Sequence, residues 1–304
     1  MSDSDYIIRN YKPEDFEEYV RLGAEAERLE PVGRRVSPQA VREYLEKPNY
    51  SPEQDLFLAE TDRSIVAYLD TVPERAIGRV ILYCWVHPAH RRQGLAKELL
   101  GNAMRRAEEL GAKVAHVIFE EANTTAISVL SGLGFECVRR YLELKLDMTR
   151  VRQQDLTQAA SECRCMLPGE EDKLTHIQNL SFAGTWGYNP NTVEDITYWT
   201  GLSYHSLEDV VLACEGDELI GYCWTEIYEG GGRGRIFMIG TDPAYRGKGM
   251  GRRVLLAGLA YLKDRGVRVT DLTVDSENKV ALALYKSVGF EVRTTSLWYE
   301  KAVD

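Results

Sequence analysis

Thr241-Asp242-Pro243-Ala244-Tyr245-Arg246-Gly247-Lys248-Gly249-Met250-Gly251 decides the fold, because the chain contains the pattern twice. Its earlier counterpart is Val86-His87-Pro88-Ala89-His90-Arg91-Arg92-Gln93-Gly94-Leu95-Ala96, with Gly94 and Gly249 separated by 155 residues. The same offset relates Asn123 to Asn278, Gly134-Phe135 to Gly289-Phe290, and Arg9 and Pro13 to Arg164 and Pro168. Ala59 and Tyr68 answer to Ala213 and Tyr222 at 154, which reads as a single-residue difference in a loop. A nearly constant offset across 304 residues indicates two copies of one domain rather than a solenoid of short units. The expected domains are residues 1–150 and 151–304, with a polar boundary between Met148 and Ala160.

Each copy has the same coarse pattern. An initial strand (Asp5 to Tyr11; Glu162 to Leu167) meets a proline and enters one or two helices. Two apolar, β-branched or aromatic runs follow, separated by the turn residues Thr61-Asp62-Arg63 or Gly216-Asp217, which predicts an antiparallel hairpin. A further strand (Arg79 to Val86; Arg235 to Thr241) runs into the glycine-bearing loop. Met250, Val254, Leu255, Leu259 and Leu262 then recur at helical spacing, and Gly266 is placed to end that helix. A strand, a short helix opening at Asn278 and a last strand complete the copy. The fold class is α+β (mixed α/β), with two tandem domains, each a mostly antiparallel twisted sheet flanked by helices.

Lys and Arg number 37 against 47 Asp and Glu, a net charge of −10, so long-range repulsion opposes nucleic-acid and anionic-membrane partners. The longest apolar run, Val254 to Leu262, is far below the roughly 20 residues of a membrane span. The polar, acidic start MSDSDYIIRN lacks the pattern of a secretory signal, so a cytoplasmic location is expected. The six cysteines include a C-x-C pair, Cys163 and Cys165, with no second half of a zinc site nearby. Core packing is the reading for that pair. The five histidines show no metal-ligand spacing, and no metal is expected.

The repeated loop lies between a strand and the first turn of a helix. Small residues there let backbone approach a ligand, and the free N–H groups of a helix start converge on an anion. Arg246 and Lys248, or Arg91 and Arg92, add positive charge. The loop is neither a G-K-[ST] phosphate loop nor a G-x-G-x-x-G dinucleotide turn. The pattern R-x-x-G-x-[GA], with N-x-x-A and then G-F downstream, resembles the GCN5-related N-acetyltransferase (GNAT) superfamily. The resemblance covers essentially the whole chain twice, and its layout is similar to the tandem-domain mycothiol synthases.

The resemblance implies acetyl-CoA as cosubstrate and a small-molecule or peptide amine as acceptor. In the second copy Arg246, Gly247, Lys248, Gly249, Met250 and Gly251 would hold the pyrophosphate. Ile239, Gly240 and Thr241 would carry the pantetheine arm, with Asn278 on its other side. In the first copy the corresponding residues are Arg91, Arg92, Gln93, Gly94, Leu95 and Ala96, with Cys84, Trp85 and Val86 for the arm. Tyr285 stands where such enzymes place the general acid that protonates the departing thiolate, a step that needs a nearby O–H. The matching residue of the first copy is Leu130, which donates no proton, so that copy is expected to bind acetyl-CoA without catalysis. Where mycothiol synthases place a substrate-contacting carboxylate and a tyrosine, this chain has Arg235 and Thr273. Glu226 is the nearest replacement carboxylate for a base, with a solvated strand-end charge as the alternative. The reaction read from these residues is acetyl transfer to a primary amine in a ternary complex. Mycothiol synthase proper and a non-catalytic acyl-CoA-binding or sensing protein remain the alternatives. The aromatic, glycine-rich segment Phe182 to Pro190 is either an acceptor-site flank or a packed loop, and Gly230 to Gly234 reads as a hairpin tip.

Overall fold

The computed structural model describes residues 6–61, 64–228 and 230–303, and the chain divides into two compact units. The first comprises Met1–Val138 and Leu297–Asp304, the second Arg139–Ser296. The first unit contains β1 (Ile7–Asn10), α1 (Phe16–Leu29), α2 (Pro38–Leu45), α3 (Pro52–Asp55), β2 (Leu56–Glu60) and β3 (Ile65–Glu74). It continues with β4 (Arg79–Val86), α4 (Leu95–Glu109), β5 (Val114–Glu120) and α5 (Thr124–Gly132). Strands β1 to β4 pair antiparallel in order, and β4 pairs parallel with β5. The continuous apolar runs of β2 and β3 reflect burial on both faces. On one face α4 packs Leu95, Leu99 and Ala103 against Leu69, Val80 and Leu82. On the other, Tyr19 and Leu22 of α1 and Leu45 of α2 meet Leu58, Tyr68 and Trp85.

Strand β6 (Glu136–Asp147) leads into the second unit, followed by α6 (Gln153–Ser161), β7 (Arg164–Cys165), α7 (Glu171–Phe182), α8 (Val193–Thr200) and β8 (Val210–Glu215). Then come β9 (Glu218–Ile227), β10 (Arg233–Thr241), α9 (Met250–Asp264), β11 (Val269–Asp275), α10 (Lys279–Val288) and β12 (Glu291–Ala302). The strand order here is β7-β8-β9-β10-β11-β6. Helices α9 and α6 pack one face, where Val254, Leu255 and Leu259 meet Cys223, Ile236, Leu272 and Val274. The opposite face carries Tyr222, Trp224 and Met238 beneath Leu174 and Ile177 of α7 and Ile196 of α8.

Two differences from the sequence reading follow from packing. The polar boundary expected between Met148 and Ala160 is occupied by α6, because Leu156 and Ala159, one turn apart, bury themselves against the α9 core. The compact units also cross the contiguous halves. Tyr141–Asp147 of β6 pair with β11 in the second unit, whereas the end of β12 returns to lie beside β5 in the first. There Leu297 and Tyr299 join the α4 core and Glu300 bonds His116 at 2.8 Å. The expected boundary at residue 150 takes no account of that return, since local pattern does not encode which strand a terminal strand pairs with. Cys163 and Cys165 are free thiols packed against the α9-side core.

Candidate active site

Strands β10 and β11 are parallel partners only from Arg233, Gly234 and Arg235 to Val269, Thr270 and Asp271. Beyond that point β10 stays with β9 as far as Thr241, and β11 stays with β6 as far as Asp275. The sheet therefore forks, and the β10 edge at Ile239, Gly240 and Thr241 faces the gap without a strand partner among the described residues. Such an edge offers main-chain donors and acceptors to an extended ligand.

A β-bulge sits at the fork. The β9–β10 register shifts between Ile236 and Met238, leaving Phe237 as the extra residue. A bulge bends its strand and re-aims the neighbouring backbone groups. Strands β3 and β4 of the first unit pair without any shift, from Ala67 and Val86 to Glu74 and Arg79. This locates one change of repeat offset. Glu226 pairs Arg235 as Val72 pairs Ile81, so the hairpin connections have equal length, whereas Trp224 pairs Met238 and Asp70 pairs Tyr83. The bulge residue in the strand returns the offset from 154 to 155, while the earlier step from 155 to 154 falls between the first two strands of each copy.

At the end of β10 the chain makes a tight turn held by Asp242, whose Oδ1 accepts from Ala244 N–H at 2.7 Å. Gly247 and Gly249 take φ values of +75° and +84°, a region that L side chains rarely adopt, and nothing lies within 4 Å of where their Cβ atoms would stand. The first hydrogen bond of α9 runs from Arg253 N–H to the Gly249 carbonyl at 3.1 Å. The amides of residues 247–252 make no bond to the described residues. An exposed cradle of N–H groups at a helix start fits a phosphate-bearing ligand. Arg246 braces this turn by donating to the Ser181 carbonyl at 2.7 Å, and Lys248 stays exposed beside the Tyr245 ring. Gly240 is held close: a Cβ there would collide with Ser181 and Tyr222. Asn278 caps α10, its Oδ1 accepting from Ala281 N–H at 3.1 Å.

The first unit has the same turn with different contents. Gly94 again starts the helix at φ +86°, but Arg92, at φ +66°, stands where the second copy has glycine. Arg91 donates to the Val86 carbonyl at 3.0 Å and to Glu30 at 2.7 Å. Glu30 also accepts from the Trp85 indole at 2.8 Å. Arg91 holds the Glu30 carboxyl below its ordinary range. The first turn of α4 carries Glu98 where α9 carries Arg253. The amides of residues 92–96, which include Gln93, Leu95 and Ala96, likewise have no partner among the described residues, and β4 and β5 part after Leu82 and Val117. Cys84 presents an exposed thiol near that point.

Tyr285 of α10 is 7% exposed, within the α9-side core and edge-on to Phe290. Its hydroxyl makes no hydrogen bond to the described residues. Burial raises its pKa, so the phenol keeps its proton at neutral pH. Leu130 occupies the first unit's α4-side core. On the opposite face of the second sheet, Glu226, Arg235 and Asp271 form one row across β9, β10 and β11. Glu226 is buried, and its Oε2 accepts from Arg235 Nε at 2.7 Å. Arg235 also lies over the Phe237 ring, which packs 5.5 Å from Trp224 and 6.5 Å from Trp199. The bulge thus brings an aromatic platform and a charged row to one side of the fork, with Tyr285 on the other.

In the segment from Phe182 to Pro190, Phe182 stacks on Tyr188, whose hydroxyl donates to Asn179 of α7 at 2.8 Å, and Trp186 packs beside Tyr141 of β6. Sequence reasoning missed Phe237, Asp271 and Glu30. The change of offset inside an otherwise matching strand was the available signal for Phe237; the other two depend on register and tertiary contact.

A family model described as the acetyltransferase (GNAT) family matches residues 22–135 and 172–290. A mycothiol acetyltransferase of Amycolatopsis mediterranei is 30% identical over 300 residues, covering 92% of this chain and 97% of its own. One from Actinosynnema mirum is 30% identical over 288 residues, covering 91% and 93%. Among solved structures, a GCN5-related N-acetyltransferase from Sphaerobacter thermophilus superposes with a TM-score of 0.72 at 23% identity, covering 100% of this chain and 97% of that one. A tandem GNAT protein from the clavulanic acid biosynthesis pathway gives 0.71 at 15% identity, covering 99% of each.

Proposed function

Because the chain belongs to the GNAT acetyltransferase family, whose model spans both copies, we propose that its second unit carries the acetyl group of acetyl-CoA to a primary amine. The carrying observation is that the bulge at Phe237 and the phenol of Tyr285 accompany the fork in the second copy alone. The free amides of residues 247–252 hold the pyrophosphate, helped by Lys248, while Arg246 keeps their turn in place. The β10 edge at Ile239 to Thr241 pairs with the pantetheine arm. N–H groups near Ile239 and Gly240 receive the thioester carbonyl oxygen as negative charge develops on it. Acetyl-CoA supplies an activated acyl group; the protein supplies position and protons. Tyr285, kept protonated by burial, gives its proton to the leaving thiolate. The first unit binds acetyl-CoA through its own turn and transfers nothing, since Leu130 has no proton to give.

The acceptor is a small-molecule or peptide amine. A second reading, a cysteinyl-glucosaminyl-inositol acceptor, is favoured by the relatives named mycothiol acetyltransferase. Arg235 and Thr273 oppose it. Calorimetry with acetyl-CoA, with one or two molecules expected per chain, and transfer of labelled acetyl to a panel of primary amines test the proposal. Binding without transfer to any amine would make the protein an acyl-CoA-binding module instead.

A further inference from the structure

Asp271 is the last residue of β11 to pair with β10 before the strands part. Leu272 and Val274 belong to the α9-side core, so Asp271 and Thr273 alternate onto the other face, with Glu226 and Arg235. Its Oδ2 accepts from Arg233 at 2.8 Å. Its Oδ1 is screened from solvent and has no hydrogen-bond partner among the described residues. A carboxylate oxygen shielded from water and left unpaired is costly, and such groups call for a specific reason. Glu226, by contrast, is taken up by Arg235 on the adjacent strand.

We propose that Asp271 meets the ammonium group of the acceptor at the mouth of the fork and takes the proton its nitrogen loses on acetylation. The inference rests on the acetyl-transfer reading of the second unit. The acceptor ammonium first releases one proton to solvent; the neutral amine nitrogen then bonds to the acetyl carbonyl carbon and the carbon–sulfur bond breaks. The nitrogen proton passes to the Asp271 carboxylate, and the sulfur takes the Tyr285 proton from the opposite face. Amine and thioester become amide and thiol, with no further reactant. Solvent returns both residues to their starting states.

The charged and titratable groups around Asp271 are Arg235 and Glu226 in its row, Arg233, which reaches it from two residues earlier on β10, Lys145 opposite it on β6 with Glu143 two residues before, and Tyr228 at the end of the hairpin. Three cations beside the site favour the neutral form of the acceptor amine over its ammonium. A weakly basic carboxylate suffices, because nitrogen becomes strongly acidic once it bonds to the carbonyl carbon.

The test uses full-length protein with acetyl-CoA and a fixed panel of glucosamine, spermidine, tyramine and amino-acid amides. Asp271→Asn, which still accepts from Arg233, is expected to lower kcat for the best amine by about 10²–10³-fold. Calorimetry should show the amine's affinity for the enzyme–CoA complex reduced about tenfold, with CoA affinity itself unchanged. Formate should partly restore turnover to Asp271→Ala. Wild-type activity accompanied by Asp271→Asn turnover within about threefold would overturn the assignment. A wild type that acetylates no amine in the panel would instead count against the acetyl-transfer reading, and the inference would fall with it.

Discussion

Replacing Tyr285 by phenylalanine separates chemistry from packing. Because the hydroxyl bonds none of the described residues, Tyr285→Phe leaves no partner stranded and keeps the ring against Phe290. The expected change in folding stability is within about 0.5 kcal/mol, whereas a buried tyrosine with a satisfied hydroxyl loses roughly 0.5–1.5 kcal/mol. A proton donor to the leaving thiolate is worth about 10²–10⁴ in turnover, which corresponds to about 2.7–5.4 kcal/mol of barrier. The two scales differ enough to be read independently. Urea unfolding of both proteins measures the first, and steady-state transfer of labelled acetyl measures the second. kcat should fall and KM for acetyl-CoA should hold, because the lost interaction forms as the carbon–sulfur bond breaks. The pH dependence has a definite sign. A donor must be protonated, and burial moves this phenol upward, so no alkaline loss of activity below pH of about 10 belongs to Tyr285. Placing a phenol in the first copy, as Leu130→Tyr, should not rescue the mutant, since β4 carries no bulge. Unchanged turnover in Tyr285→Phe would refute the reasoning. So would a loss of activity matched by an equal loss of stability.

Deleting Phe237 should give β10 the unshifted register of β4 and lower transfer by about 10²-fold or more through misplaced N–H donors, while calorimetric CoA affinity persists; a fully active deletion would remove the bulge from the mechanism. Glu30→Gln releases Arg91, and an exposed ion pair contributes only about 0–1 kcal/mol, so stability should hold while CoA binding by the first unit tightens a few-fold. Calorimetry of a variant whose second cradle is blocked by Gly249→Val reads that change, and equal affinities would exclude Glu30 as a competitor. Truncation after Ser296 removes Leu297 and Tyr299, 3% and 7% exposed, from the first unit's core. At roughly 1.5–3 kcal/mol for each side chain, the melting step of that unit should drop sharply, and an unaltered melt would contradict the strand's role.

Much of the fold was legible because the duplicated turn carries geometric demands of its own. A strand running into left-handed glycines and then a helix is recognisable from Gly247, Gly249 and the periodic leucines of α9. The capping role of Asn278 was not legible, although its position was, because an N-cap and a ligand contact call for similar side chains. Glu226 looked like an open carboxylate until strand register set Arg235 beside it. The α6 segment reads as a polar boundary because only Leu156 and Ala159 of it are buried, and a two-residue stripe gains meaning only against the face it covers.

The sequence by itself determined the duplication, the two glycine-bearing turns between strand and helix, and the presence of a phenol in one copy where the other has leucine. These are matters of residue identity and spacing along the chain. Tertiary structure alone decided where the sheet forks, that Phe237 is a bulge, and that the final strand closes the first unit. It also decided which carboxylate keeps an unpaired oxygen beside the fork. Each of those outcomes depends on which strands pair and in what register, and backbone hydrogen bonding is nearly blind to side-chain identity, so only the packed sheet selects among the alternatives.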